Sequence, residues 1–341
     1  MADLWKPLWR VLKVVLFAAI LYGIGRALLP DLRAMDWSAV GRWRPEASRL
    51  VVSLIVLVAV YLAHAFLWRR IVIDLGLGRP SARTVLQVFF VSSLGRYLPG
   101  KFWQLAGLAA LAGRAGISPG GAAAASLLGQ FAFLSSGLLF LAIQLPDFGG
   151  GAPARIGGIA LVLAAGLIWL LTETPAGRRG REWVRARLGP RLGERLGTAF
   201  ELAERVRGRD AILWGVGYGL TWIALGFAFS LFATAFVPEA TTESRRLAGT
   251  VAAAYLAGYI VLVAPAGLGV REGAMTGLLA AIPTIPFPAA VVISVLSRVW
   301  FTVAEIVPLA IVPFMPRDRG PASNPMATAP EPASRNPEGH V

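Results

Sequence analysis

The sequence contains no cysteine and only two histidines in 341 residues. The first absence excludes disulfide bonds, thiolate chemistry and metal sites that need cysteine ligands. One of the histidines, His340, lies in a proline-rich segment at the carboxyl end, so acid–base catalysis by histidine is not expected. The chain also has no Walker phosphate-binding loop and no Ser-His-Asp set. The sequence therefore predicts a protein that is not an enzyme and that holds no metal or other cofactor.

Charged residues are scarce, and acidic ones are scarcer than basic ones. Only 15% of the residues are charged, against about 25% in a typical soluble domain, while 56% are hydrophobic and the mean hydropathy is +0.64. The formal net charge is +14. In a membrane protein such charge is explained first by topology and by anionic lipid, and no motif supports a nucleic-acid partner. These values predict a polytopic, all-α integral membrane protein.

Several apolar runs approach or exceed the length of helix, about 20 residues, that crosses the hydrocarbon core of a bilayer. The sequence predicts about six transmembrane helices, over residues 12–29, 50–68, 119–145, 157–171, 211–236 and 289–314. We interpret the first as an uncleaved helix rather than a signal peptide. Residues 175–209 are predicted to form a basic amphipathic loop on the cytoplasmic side. Residues 316–341 are predicted to be disordered, which leaves residues 1–315 as one transmembrane domain.

Two apolar regions are interrupted by proline and glycine, at residues 95–101 and 264–273. Neither residue type readily continues a helix. Half-length apolar pieces flank the first break at 85–94 and 102–111, and ten residues of helix span only about 15 Å. Residues 247–263 and 270–282 flank the second break. Broken backbone at membrane depth requires cover by protein or by a water-filled cavity. The pattern predicts two re-entrant helical hairpins.

The distribution of basic residues predicts the orientation of these segments. With the amino terminus in the cytoplasm and both broken regions re-entrant, the cytoplasmic parts hold most of the 33 lysines and arginines. Each hairpin and its flanking spans then form a triplet, and the two triplets have opposite topology. Such an inverted repeat with interrupted helices indicates a transporter binding site. The alternative is that residues 247–264 cross the membrane, which would move the carboxyl terminus to the other side.

A set of charged residues near the breaks and on the last predicted span is hard to explain as lipid-facing, since an ionised side chain at mid-membrane costs about 3 kcal/mol. The set consists of Arg96, Lys101, Arg271, Glu272, Arg298 and Glu305. With Tyr97 as an aromatic lining residue, we expect these side chains to form a substrate-binding site for a phosphate or another anion. Either Arg271 or Arg298 could pair with Glu272 or Glu305. The alternative is a set of structural salt bridges without a ligand.

Both motifs resemble a known family. Residues 95–101, Gly-Arg-Tyr-Leu-Pro-Gly-Lys, and residues 265–273, Pro-Ala-Gly-Leu-Gly-Val-Arg-Glu-Gly, together with Ser297-Arg298, resemble the lysylphosphatidylglycerol synthase transmembrane-region family. This flippase-like domain forms the membrane half of bacterial multiple peptide resistance factors and also occurs alone. The resemblance covers roughly residues 10–315 and implies a multi-pass protein of the bacterial inner membrane. The aminoacyl transferase domain of the full-length factors is not expected here, so synthase activity is not implied.

What the resemblance implies is a lipid flippase or transporter. Its ligand would be an anionic membrane phospholipid or a lipid-linked sugar, with the headgroup bound between the two opposed hairpins. A second hypothesis is a non-transporting accessory or scaffold protein of an envelope glycolipid or polysaccharide pathway, with an envelope-biosynthesis glycosyltransferase as partner. A third is a lipid-linked sugar transferase that uses the carboxylates of Glu272 and Glu305.

Overall fold

In the computed structural model, the described residues are 33, 44–97, 102–144, 147, 202, 205–260 and 269–315, without the side chains of residues 96, 97, 102 and 260. All regular elements in these ranges are helices, so the predicted all-α class is confirmed for them. The eight α-helices are α1 (Ala47–Asp74), α2 (Ala82–Ser93), α3 (Phe102–Arg114), α4 (Pro119–Gln144), α5 (Gly208–Thr234), α6 (Ser244–Ile260), α7 (Val270–Ala280) and α8 (Phe287–Ile311). Three short 3-10 helices, Leu94–Tyr97, Pro238–Glu243 and Val312–Phe314, follow α2, α5 and α8.

Four of these helices are long and apolar enough to cross a membrane: α1, α4, α5, and α8 with its 3-10 extension. They correspond to four of the six predicted spans. The other two, at 12–29 and 157–171, lie outside the described residues, as do Lys101, most of the 175–209 loop and the 316–341 tail. The coarse prediction of several membrane-spanning helices is therefore supported, and the count of six stays a prediction.

The end of α1 differs from the sequence-based expectation. The sequence predicts a span that ends at residue 68, yet α1 continues past Arg69 and Arg70 to Asp74. The Asp74 carboxylate explains the extension, because it accepts a hydrogen bond from Arg70 Nε, one helical turn earlier, at 2.9 Å. Trp214 Nε1 donates to the same carboxylate oxygen at 3.0 Å. The chain then turns at Gly76, whose φ of 70° suits glycine.

Helix α5 lies at the centre of the bundle and packs against α1, α4 and α6. Its contacts with α1 are the most extensive, and the two helices are antiparallel. Trp214, early in α5, bonds to the end of α1, while the carbonyl of Thr234, at the end of α5, accepts from Arg49 at 3.3 Å. Buried aromatic rings fill the space between α4 and α5, where Phe133 stacks on Trp222 with ring centroids 4.5 Å apart. This core holds the long helices together, and the short helices pack on them.

The short helices occur as two contacting pairs, α2 with α3 and α6 with α7. The first pair is antiparallel, because Gly95 approaches the backbone of Gln104 while Ser92 lies near Gly107. With 12 and 13 residues, α2 and α3 are each only about 18–20 Å long, too short to cross a bilayer alone. The α2–α3 pair packs on α1, α4 and α8, and the α6–α7 pair packs on α4, α5 and α8. Both pairs therefore contact the last span.

Candidate functional site

Each of the four long helices carries a polar or charged side chain within two residues of its midpoint. The four residues are Tyr61 on α1, Gln130 on α4, Thr221 on α5 and Arg298 on α8. Polar groups at this depth of a membrane helix are retained where other parts of the protein provide partners. We refer to these four side chains and their bonded neighbours as the mid-span layer.

Hydrogen bonds in the mid-span layer join helices that are distant in sequence. Tyr61 Oη donates to Glu305 Oε1 at 2.9 Å, which links α1 to α8, and Glu305 is only 2% exposed. His64 Nε2 lies 2.9 Å from Thr221 Oγ1, which links α1 to α5. Tyr259 Oη donates to Gln130 Oε1, which links α6 to α4. The layer is therefore a polar network inside an apolar bundle.

Arg271 lies at the second position of α7 and points its guanidinium into this layer. The helix starts after Gly269, whose φ of 79° favours glycine. The guanidinium carbon is 3.9 Å from the centre of the Phe301 ring and 5.7 Å from that of Tyr255, both within cation–π range. The residue as a whole is half-buried, but Nε and Nη2 are inaccessible. Among the described residues, neither nitrogen has a hydrogen-bond partner.

The neighbouring carboxylate, Glu272, pairs with Arg298 instead. Arg298 Nη1 donates to Glu272 Oε1 at 2.5 Å, while Glu272 Oε2 accepts from the backbone N–H of Gly269 at 2.7 Å. Ser294 Oγ donates to the carbonyl of Glu272 at 2.9 Å. Thus α7 begins with a capped turn that is bonded twice to α8. Of the pairings that the sequence left open, the structure contains Arg298 with Glu272.

Four predicted site residues are brought to the mid-span layer. Arg271, Glu272 and Arg298 lie together at the start of α7 and the middle of α8, and Glu305 joins the layer through its hydrogen bond from Tyr61. The backbone at residues 96 and 97 forms the 3-10 helix after α2, and the side chains of Arg96 and Tyr97 lie outside the described atoms, as does Lys101. The prediction about those three side chains remains a prediction.

The sequence-based prediction did not include two aromatic residues that contact the Arg271 guanidinium, Tyr255 and Phe301. A signal for one of them was present, because Phe301 lies three residues after Arg298 and so shares its helix face. Another signal was the polar residue near the centre of each long apolar run. Tyr255 and Tyr259 are spaced four apart on α6 and also lie on one face.

No family model, curated protein or solved structure matches the chain. The resemblance to the flippase-like family therefore rests on the residues of the two motifs. In the described ranges, no group of three or more His, Cys, Asp or Glu side chains is arranged to hold a metal ion. What the cluster offers chemically is an arginine whose Nε and Nη2 have no partner among the described residues, beside a second, paired arginine, which suits binding of an anion.

Proposed function

We propose that this protein is a lipid flippase or transporter that binds an anionic lipid, or a lipid-linked headgroup, between two opposed re-entrant hairpins. The observation that carries the proposal is Arg271, a charged side chain at mid-span with two nitrogens that lack partners among the described residues. A charged guanidinium at this depth costs free energy unless it binds a ligand or pairs with a protein group. Secondary transporters keep their substrate sites near the bilayer midplane, at interrupted helices.

The geometry of the unpartnered nitrogens suits a phosphate. Nε and Nη2 form one edge of the guanidinium, and this edge can donate two parallel hydrogen bonds to two oxygens of one phosphate. The start of α7 adds backbone N–H groups and the positive end of a helix dipole. In the present conformation the edge is inaccessible. Binding would therefore require α7 to move relative to α8, as alternating access demands.

In this mechanism the other predicted residues have distinct roles. Arg96 and Lys101, on the first hairpin, would contribute positive charge from the opposite side, with Tyr97 as lining. Glu272 and Arg298 would hold the start of α7 on α8, and their ion pair would break and re-form as the hairpin moves.

The proposal includes six spans with inverted topology, a cytoplasmic amino terminus and a bacterial inner membrane. Acyl chains would remain in the lipid phase.

One observation favours the alternative of a non-transporting scaffold protein. Arg298 and Glu272 form an ion pair, and Glu305 accepts a hydrogen bond from Tyr61. These charged side chains therefore have partners inside the protein, as purely structural contacts would give them. A scaffold of an envelope glycolipid or polysaccharide pathway needs no free donor at mid-span. The two functions therefore differ in whether Arg271 binds a ligand.

We expect the variant Arg271→Ala/Lys101→Ala to lose a bound lipid that the wild type retains. Both proteins would be released from mild detergent into a native mass spectrometer, and the copurified anionic lipid would be counted and identified. The matched control is Arg70→Ala/Arg209→Ala, which removes two positive charges from exposed side chains that are 56% and 72% accessible. Loss in the first variant alone supports the proposal. The same bound lipids in all three proteins would contradict it.

A further inference from the structure

A second candidate site lies far from Arg271, in a cleft of about 470 Å³ between the carboxyl halves of α4 and α5 and the start of α6. Its lining residues are Arg49, Phe140, Gln144, Ile223, Phe227, Ser230, Leu231, Thr234, Thr241, Ser244, Arg245 and Ala248. Arg49 precedes Tyr61 by 12 residues on the same helix, which places the cleft about 18 Å along α1 from the mid-span layer. The volume falls within the usual range for small-molecule sites.

The polar end of the cleft contains a buried amide whose oxygen has no partner among the described residues. Gln144 is 8% exposed, and its Oε1 has no hydrogen-bond partner within the part of the chain that the structure describes. A buried amide that lacks its hydrogen bonds costs about 1–3 kcal/mol. Because an amide both donates and accepts, it fits a ligand that carries a hydroxyl group as well as an acceptor oxygen.

Two guanidinium groups line the cleft, and each is also paired with a carboxylate. Of its described lining residues, the charged ones are Arg49 and Arg245, whose carboxylate partners Glu46 and Asp147 lie outside the lining. Arg245 is 67% exposed and contacts Asp147 through Nε at 3.1 Å. Ser244, at the first turn of the 17-residue helix α6, also lines the cleft. A guanidinium has five N–H donors, so an ion pair through Nε leaves others that can bond a phosphate.

The other end of the cleft is apolar and continuous with the outer surface of α5. Ile223 and Phe227, one turn apart, are 58% and 56% exposed, and both also line the cleft. On a membrane-spanning helix such residues face acyl chains. The cleft therefore joins a polar end, with two arginines at the helix termini, to an apolar side along the spanning segment. This polarity matches that of a phospholipid.

We infer that this cleft binds the headgroup of one anionic glycerophospholipid that carries a free hydroxyl group, at a site separate from Arg271. The phosphate lies between Arg49, Arg245 and the start of α6, and the hydroxyl bonds to the Gln144 amide. The cleft is too small for a whole lipid, so the acyl chains extend over Ile223 and Phe227. Such a site would hold a lipid at the membrane surface, beside the helices that form the mid-span layer.

The inference is tested by native mass spectrometry of delipidated protein titrated with phosphatidylglycerol. The wild type is expected to bind phosphatidylglycerol at least tenfold more tightly than phosphatidylcholine, and Gln144→Leu/Arg245→Gln to lose one bound phosphatidylglycerol. The control is Arg70→Gln, which removes the exposed Arg70–Asp74 ion pair at the other end of α1. This variant should bind both lipids as the wild type does. Equal affinity for the two lipids, or equal losses in both variants, would overturn the inference.

The same titration separates this site from the proposed function. Arg271→Ala should keep the lipid that Gln144→Leu/Arg245→Gln loses. If Arg271→Ala has no effect while the cleft variant loses a lipid, the proposed function fails and the cleft site stands. If both variants lose the same lipid, there is one site and the inference is overturned.

A second measurement does not depend on these variants being stable. Because the chain has no cysteine, Ser244→Cys introduces a single reactive thiol at the exposed mouth of the cleft. Phosphatidylglycerol nanodiscs should slow its maleimide labelling severalfold relative to phosphatidylcholine nanodiscs, and inorganic phosphate should not. Ser48→Cys is the matched control. Ser48 is exposed at the start of α1, beside Arg49, but does not itself line the cleft. Equal slowing at both positions, or protection by inorganic phosphate, would overturn the lipid site.

Discussion

Replacing Gly95 with alanine is expected to disrupt the α2–α3 pair and to lower the stability of the protein. A Cβ atom at this position would lie 2.8 Å from Gln104 N and from the carbonyl carbon of Trp103, and 2.9 Å from Gln104 Cα. These are backbone atoms, so no side-chain rotation can relieve the contacts. Overpacking of this kind costs about 1–3 kcal/mol or more. Thermal unfolding in detergent, followed by the fluorescence of the 11 tryptophans, measures the loss.

The matched control is Gly107→Ala on the opposite arm of the same pair. Its nearest neighbour would be Ser92 Cα at 3.8 Å, an ordinary van der Waals contact. Because alanine is favoured over glycine within a helix by about 1 kcal/mol, this variant should be neutral or slightly stabilised. Equal destabilisation by both substitutions would show that the two arms do not pack in the register described. Equal tolerance of both would show that the close approach at Gly95 is absent.

Breaking the Arg298–Glu272 pair from one side is expected to cost nearly as much as removing it from both sides. Arg298→Met leaves the Glu272 carboxylate without its cation, and Glu272→Gln leaves a guanidinium unpaired near mid-span. One-sided loss of a buried pair costs about 3–5 kcal/mol, and we expect about 2–3 kcal/mol because the pair is not fully buried. Glu272→Gln should be the worse of the two, because the bonds from Arg298 and from the Gly269 N–H go to different carboxylate oxygens, and an amide has only one acceptor oxygen.

A double-mutant cycle measures this coupling. The variant Arg298→Met/Glu272→Gln should be more stable than the sum of the two single losses predicts, by about 2 kcal/mol. Chemical unfolding in mixed micelles gives the four free energies of unfolding. Additive losses would mean that the two side chains do not interact, and α7 would then be held on α8 by other contacts.

The sequence predicted the four described spans, but not where the first of them ends. Length and hydropathy suffice for α1, α4, α5 and α8, because about 20 apolar residues in a row have few other uses. Length and hydropathy do not predict where α1 ends. That end depends on Asp74 meeting Trp214, which is 140 residues away in the chain. Charged residues near a predicted end therefore need not mark the end.

The charged residues were found from sequence, but their pairing was not. Arg271 and Arg298 are equivalent candidates in composition, as are Glu272 and Glu305. Which of them meet depends on the rotation of α7 about its axis relative to α8, and the bonds from Glu272 fix that rotation. The aromatic residues that contact Arg271 belong to α6 and α8, and only the packed bundle brings both helices against α7. Long-range neighbours of this kind leave no local pattern.

The central claim is that Arg271 contacts the headgroup of a lipid as it crosses the membrane. The most direct test is translocation of a fluorescent phosphatidylglycerol analogue, labelled on an acyl chain, in proteoliposomes whose outer leaflet is quenched by dithionite. The wild type should move the analogue at least tenfold faster than Arg271→Met, while Arg70→Met, a substitution of an exposed arginine, should match the wild type. Equal rates for wild type and Arg271→Met, or a wild-type rate equal to that of protein-free vesicles, would contradict the account.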